Sequence, residues 1–200
     1  MVRASRPEYA LHSSLGLQAL CQTLGEAPVC DILDLGPARS ENLEFWSRFN
    51  PWIYIADLRS SLPLPDQYSE SSEFVDPDWD RLMGLPANRT YNVILAWDLL
   101  NYLELPAVSS LVRYLNRYCR PGAILFTLLF DHKQMPEEIS LYHIADDSHL
   151  RYETLSSPMR SCPRHQPRAL AGIMAGFQTR ESFRLRNGVV EYLFAFEGIR

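Results

Sequence analysis

Residues 30–58, CDILDLGPARSENLEFWSRFNPWIYIADL, decide the fold of this chain. A short, mostly apolar run from Ile32 to Leu35 stops at Gly36-Pro37, which predicts a buried strand followed by a tight turn. Apolar residues then recur at helical spacing over 41–50, and a second apolar run over 52–56 leads to Asp57. A strand, a helix and a strand within about 30 residues form a βαβ unit, so we expect two parallel strands joined by a right-handed crossover.

The ends of these two predicted strands carry the residue types that a nucleoside-containing ligand requires. In an open α/β sheet, ligands bind at the carboxyl ends of the strands, where a turn presents backbone N–H groups and a helix N-terminus. An acid at the end of the next strand can accept hydrogen bonds from ribose hydroxyls. Asp34, Gly36 and Asp57 stand at these positions in the sequence.

Residues 34–40, DLGPARS, resemble a degenerate form of the D-x-G-x-G-x-G loop of class I S-adenosylmethionine-dependent methyltransferases. Ala38 and Ser40 stand where that family carries its second and third glycines, and Pro37 lacks a backbone N–H. The resemblance implies a bacterial methyltransferase with S-adenosyl-L-methionine as its cofactor. A plain strand-to-helix turn without a ligand is the alternative interpretation of this loop.

The resemblance also implies which residues bind the cofactor. The loop would hold the methionine part, the acid after the second strand would hold the ribose, and the end of the fourth strand would border the sulfonium. The residues implied in this way are Asp34, Gly36, Pro37, Ala38, Asp57, Leu58, Trp97 and Asp98. Trp97 is otherwise interpreted as a core aromatic, and Asp98 as a helix or turn cap.

The later elements follow in the order that the family shows. Residues 91–97, YNVILAW, resemble its fourth strand, and a helix that begins at Pro106 leads to the uniformly apolar strand 123–130. Residues 177–196 predict a hairpin joined by a type I′ turn at Asn187-Gly188. An antiparallel last strand resembles the methyltransferases and weighs against a dehydrogenase that uses NAD.

We therefore predict one α/β domain over 1–200, a three-layer sandwich around a mostly parallel sheet of roughly six or seven strands that ends in an antiparallel C-terminal hairpin. The third strand is predicted to be short or missing, because Glu73–Asp76 is its only candidate. A helix over Leu11–Leu24, closed by Gly25, is expected before the first strand. Residues 131–167, called the lid segment below, are predicted to be an inserted loop or lid that holds short extended pieces.

Composition narrows the possible partners. A net charge of −5 and a pI near 5.5 argue against nucleic-acid binding, which needs a basic face. No apolar run approaches the roughly 20 residues of a membrane span, and no secretory signal is visible. The four cysteines show no C-x-x-C pairing and are expected to be reduced. We expect a cytoplasmic protein with a small-molecule substrate, no nucleic acid and no membrane partner; the oligomeric state is left open.

The chemistry of the site is less defined than its fold. His132 and His143 are candidate general bases, but no catalytic residue is assigned, because methyl transfer can proceed by alignment of the reactants alone. Cys162 and His165 match no standard zinc spacing, so no metal site is predicted. Two functions stay open: a methyltransferase for a small molecule, and a non-catalytic binding or regulatory module with the same fold. An NAD(P)-dependent oxidoreductase is disfavoured.

Overall fold

The computed structural model describes residues 10–25, 30–62, 75–153 and 158–198. A six-stranded sheet of strand order β10-β11-β5-β4-β2-β3 forms its centre. The elements, in chain order, are β1 (Ala10–Ser13), α1 (Leu15–Gly25), β2 (Asp31–Asp34), α2 (Ser40–Ser47), β3 (Trp52–Ile55), α3 (Leu58–Ser61), α4 (Trp79–Met83), β4 (Tyr91–Trp97), a 3₁₀ helix (Leu99–Tyr102), α5 (Leu105–Asn116), β5 (Cys119–Phe130), β6 (Gln134–Pro136), β7 (Leu141–Asp146), β8 (His149–Glu153), β9 (Met159–Ser161), α6 (Pro167–Ile173), β10 (Phe177–Arg184) and β11 (Val189–Phe196).

The central sheet is parallel over β3, β2, β4 and β5. β11 then inserts antiparallel between β5 and β10, so the sheet ends in the predicted hairpin. The predicted fold class, a mostly parallel α/β sheet with helices on both faces and an antiparallel C-terminal hairpin, is confirmed. The βαβ unit of residues 30–58 forms as predicted, with β2 and β3 side by side.

Side chains on the inner strands alternate between the two faces of the sheet, and each face has its own hydrophobic core. Leu33 and Ile94 point to one face, where they join the apolar side of α5. Ile32 and Val93 point to the other face, where they join α1 and Trp46 of α2. Because both faces are covered, the inner strands are buried over most of their length, which explains their nearly continuous apolar sequence.

The leading helix begins later than predicted. Residues 10–13 form β1, which pairs antiparallel with β8, and α1 starts at Leu15. The side chain of Leu11 is 54% exposed, so its place in the leucine spacing carried no information about the core. Ser14 caps α1, because its Oγ accepts a hydrogen bond of 3.0 Å from the N–H of Leu17.

The lid segment is more regular than predicted. β7 and β8 form a hairpin that β1 extends to three strands, and β6 pairs with β9.

The turn at 187–188 also differs from the prediction, because Gly188 has a φ of 75° whereas Asn187 has no positive φ. A type I′ turn requires both, so the turn instead closes through the N–H of Gly188 on the carbonyl of Leu185.

Part of the predicted third strand falls outside the described residues. Glu73 and Phe74 are not described, and Val75 and Asp76 lie in no strand. Within the described ranges, no helix combines the length and the hydrophobicity that a membrane span needs.

Gly16 allows α1 to lie against the sheet. A Cβ added there would lie 2.9 Å from Cε2 of Phe126 and 3.0 Å from Cβ of Glu191. We expect Gly16→Ala to lower the free energy of unfolding by about 1–3 kcal/mol, because the sheet cannot move away. Gly172→Ala in α6 is the matched control: a Cβ there meets nothing within 4 Å, and alanine should raise stability by up to about 1 kcal/mol. Urea denaturation measures the free energy of unfolding of both variants. Equal values for Gly16→Ala and Gly172→Ala would contradict the prediction.

Candidate functional site

The carboxyl ends of β2 and β3 bring the predicted residues to one edge of the sheet. Gly36 stands two residues after the end of β2, and the carbonyl of Leu35 accepts a 2.9 Å hydrogen bond from the N–H of Leu58. Asp57 therefore stands beside the turn that contains Gly36. Asp57 is also close enough to Asp34 for its charge to raise the pKa of that carboxyl group.

Asp34 lies behind the glycine turn and is almost fully buried. Its Oδ1 accepts hydrogen bonds from the backbone N–H of Gly36 at 2.9 Å and from Nε1 of Trp97 at 2.7 Å. Burial raises the pKa of Asp34 to about 6, although both donors favour the ionised form. The acid is thus held by two N–H groups.

Asp57 caps a short helix. It adopts a left-handed conformation with a φ of 38°, and its carboxylate accepts from the N–H of Ser60 at 3.3 Å and from the Ser60 hydroxyl at 2.9 Å. Leu58 beside it is fully buried in the core. A local capping role is therefore visible for Asp57, and a packing role for Leu58.

Trp97 covers the glycine. Its φ is 49°, and its carbonyl accepts a 2.8 Å hydrogen bond from the Thr127 hydroxyl, next to a register shift between β4 and β5. The indole lies so close to Gly36 that a Cβ added there would be 2.9 Å from Cδ1 of the ring. Tyr142 stacks on the indole at a centroid distance of 5.4 Å with 7° between the planes.

Asp98 faces the lid segment. It is fully buried, and its Oδ2 accepts a 3.1 Å hydrogen bond from the N–H of Ser140. Burial raises the pKa of Asp98 to about 6. Tyr102 donates to the carbonyl of Glu138 at 2.7 Å, and Nε of Arg59 donates to that of Ile139 at 2.9 Å. These contacts fix residues 138–140 over the edge of the sheet.

Asn42 is a residue of the site that sequence reasoning missed. Its Nδ2 donates to the carbonyl of Tyr142 at 3.0 Å, and its Oδ1 accepts from the N–H of Ile144 at 2.8 Å. The amide thus pairs with the backbone of β7 as a neighbouring strand would. The signal for Asn42 in the sequence was its place on the side of α2 that also carries Trp46, where a polar residue needs a buried partner.

The space over the glycine turn is too small for an S-adenosylmethionine molecule. A cavity between the turn and the lid segment has a volume of about 10 Å³, and its walls include Gly36, Pro37, Trp97 and Tyr142. That is about the space of one water molecule. Asp34, Ala38, Asp57, Leu58 and Asp98 do not line it. With the indole over Gly36, the cofactor does not fit in this space.

A larger cavity lies on the other side of Tyr142. Its volume is about 160 Å³, and Ser140 and Tyr142 line both spaces. His132 lines this larger cavity, whereas Nδ1 of His143 lies 3.8 Å from Glu41 in α2. The two candidate bases therefore occupy different surroundings.

Metal ligands do not converge in the described part of the chain, where no three His, Cys, Asp or Glu side chains could share an ion. Nε2 of His165 lies 2.8 Å from the carbonyl of Leu100. His149 instead pairs with Asp146 at 2.8 Å.

The two buried acids predict how stability depends on pH. Their folded pKa values, about 6, exceed the ordinary value of 3.8, so the folded state binds protons more tightly and loses stability as pH rises through 6. Asp34→Asn and Asp98→Asn should each reduce the stability gained on acidification from pH 7 to pH 5. Urea denaturation at both pH values measures this, with the exposed Asp76→Asn as control. An unchanged gain in both variants would refute it.

Solved structures share this architecture. An S-adenosylmethionine-dependent methyltransferase from Clostridium acetobutylicum ATCC 824 has a TM-score of 0.53 at 11% identity, over 92% of this chain and 90% of that chain. The 1,6-didemethyltoxoflavin-N1-methyltransferase of Burkholderia thailandensis, solved with bound 1,6-didemethyltoxoflavin and S-adenosylhomocysteine, has a TM-score of 0.53 at 16% identity, over 92% of this chain and 77% of that chain. The glycopeptide N-methyltransferase MtfA has a TM-score of 0.50 at 12% identity, over 92% and 91%.

The sequence matches no family model, and no curated protein is detectably similar to it. At identities this low, the similarity to solved structures establishes the fold and leaves the activity open. The strand order, the antiparallel last strand and these neighbours agree, and the resemblance drawn from residues 34–40 and 91–97 is confirmed at the level of the fold. The chain has the fold of the class I S-adenosylmethionine-dependent methyltransferases.

Proposed function

We propose that this chain is an S-adenosylmethionine-dependent methyltransferase that acts on a small-molecule acceptor. One observation carries the proposal: the buried acid Asp34 holds the N–H of the glycine turn, and among the described residues its one side-chain hydrogen-bond donor is the indole N–H of Trp97. An acid at this place could equally accept a hydrogen bond from an N–H group of a ligand. Asp57 stands at the end of the adjacent strand, where a ribose would need an acceptor.

The proposal requires the Trp97 ring to move. Trp97 is a bulky residue in the left-handed region, a conformation that costs about 1–3 kcal/mol and is common at ligand clamps and switches. Its stacking partner Tyr142 belongs to β7 of the lid segment. A shift of that strand would remove the stack and free the ring, which would open the space over Gly36.

Size and charge support a small acceptor rather than a nucleic acid. The net charge is −5, and the cavity beyond Tyr142, with about 160 Å³, suits a compact molecule. All four cysteines are free and buried, which supports the proposed cytoplasmic location.

A second candidate function is the non-catalytic binding module. The position of the Trp97 ring favours it, because the indole fills the space that the cofactor needs. Ala38 and Ser40 in place of glycines point the same way. In this case the larger cavity would be the ligand site of the protein.

Isothermal titration with S-adenosylhomocysteine separates the two functions. For a methyltransferase we expect binding to the wild-type chain, and at least tenfold weaker binding to Asp57→Ala, because a ribose acceptor is lost. Asp78→Ala is the matched control: Asp78 caps α4 in the same way, accepting from the N–H of Arg81 at 3.0 Å, but it does not stand at the end of a strand of the central sheet. No heat at about millimolar ligand, a concentration at which even weak sites fill, would favour the binding module.

The position of the ring gives a separate prediction. Trp97→Phe keeps an aromatic ring but removes the N–H that ties it to Asp34, so S-adenosylhomocysteine should bind severalfold more tightly than to the wild type. Trp46→Phe is the control, since Trp46 is equally buried and its Nε1 has no hydrogen-bond partner among the described residues. Equal affinities for the wild type and Trp97→Phe would show that the indole is no obstacle.

A further inference from the structure

The larger cavity lies between the three-stranded sheet of β1, β7 and β8 and the central strands β5 and β11. Its walls are mostly apolar, and they include Leu128, Leu150 and Val189. The exposed side chains of His132, Gln134 and Met159 stand at its rim. A compact molecule could therefore enter from solvent and lose most of its contact with water.

Glu191 on β11 lines this cavity and is 0% exposed. One of its oxygens has a structural role: Oε2 accepts a 2.7 Å hydrogen bond from the N–H of Gly16 in the first turn of α1. The other oxygen, Oε1, is buried and has no partner among the residues that the structure describes. The capping of α1 therefore explains only half of this carboxyl group.

His12 also lines this cavity, and its ring carries a second unpartnered atom. Nε2 of His12 is buried and has no hydrogen-bond partner in the described ranges. The His12 ring stacks on Tyr152 at 4.2 Å with 15° between the planes, and Tyr152 lies 5.7 Å from Tyr142. Three rings thus form an aromatic wall beside the two polar atoms.

An unsatisfied buried polar group costs about 1–3 kcal/mol, so two of them at one cavity need an explanation. An ordered water molecule does not explain them well, because it needs roughly 2–4 polar partners and most of the wall of this cavity is apolar. A molecule with a flat apolar body and a hydrogen-bond donor would satisfy both features, packing against the rings while it donates to the carboxylate. A cavity of about 150 Å³ in another protein holds benzene, so about 160 Å³ is suited to one or two rings.

We propose that this cavity binds a small aromatic molecule that carries an N–H or amino group, and that Oε1 of Glu191 accepts the hydrogen bond from that group. That this molecule is also the methyl acceptor rests on the proposed function. Ser140 and Tyr142 support that extension, because they form the wall between this cavity and the glycine turn.

Indole and benzofuran are the probes, since they share one shape and differ in a single N–H. Titration of the wild-type chain without any cofactor should show indole binding at least tenfold more tightly than benzofuran. In Glu191→Met the acceptor is gone and the volume is kept, so the two probes should bind equally. If wild-type protein does not distinguish the probes, the proposal is overturned.

Glu191→Met also loses the bond to Gly16, so a variant that leaves Glu191 intact is needed. Leu150→Trp fills the cavity from β8 and should abolish the binding of both probes. Leu11→Trp is its control, because Leu11 is 54% exposed on the adjacent β1 and does not line the cavity. Indole binding that survives Leu150→Trp would place the probe elsewhere and overturn the proposal.

The titration with S-adenosylhomocysteine is read separately. Selective indole binding without any binding of S-adenosylhomocysteine would uphold the cavity and overturn the transferase function. Binding of S-adenosylhomocysteine without selective indole binding would do the reverse.

Discussion

The hydrogen bond from the Trp97 indole to the Asp34 carboxylate, made across Gly36, decides how much space lies over the glycine turn. Asp34 ends β2 and Trp97 ends the adjacent β4, so the bond joins two neighbouring strand ends. A Cβ at position 36 would crowd the indole, so the bond depends on the glycine there, and Trp97 makes it with a positive φ. A buried carboxyl group needs donors, and the indole supplies one of the two that Oδ1 receives. The same contact leaves only about 10 Å³ over the turn.

The lid segment completes this arrangement. Tyr142 stacks on the indole, and Asn42 satisfies the backbone of β7 where no strand is available. Arg59, Tyr102 and Asp98 bind three consecutive backbone positions from 138 to 140. Since these partners come from α2, from α3 and from Asp98 and the 3₁₀ helix after β4, residues 138–144 are tied to the same edge of the sheet that carries the glycine turn. The stack of Tyr142 on Trp97 therefore links the position of this segment to the space over Gly36.

The space over Gly36 and the cavity beyond Tyr142 show that the fold alone does not decide where a ligand can bind. The strand order fixes an edge at which ligands can bind, but the side chains at that edge decide which space is open. Here an indole fills the space over the glycine, whereas the space beyond Tyr142 keeps about 160 Å³ with an unpartnered carboxylate oxygen at its wall. Close relatives in fold need not share this division, because it depends on single residues such as Trp97, and not on the sheet.

Local patterns in the sequence determined the scaffold. The βαβ unit of 30–58, the strand 91–97 and the C-terminal hairpin follow from apolar periodicity and breakers, which act over a few residues and are therefore legible in one dimension. The sequence also placed Asp34, Gly36 and Asp57 at one edge, because parallel strands end together. It missed β1, because the backbone of β1 pairs with β8 about 140 residues away and no local pattern encodes a pairing over such a separation. Only the tertiary structure decided that Trp97 covers Gly36, that Asn42 binds β7 and that Glu191 lines a cavity, because each depends on contacts between distant residues that no local pattern encodes.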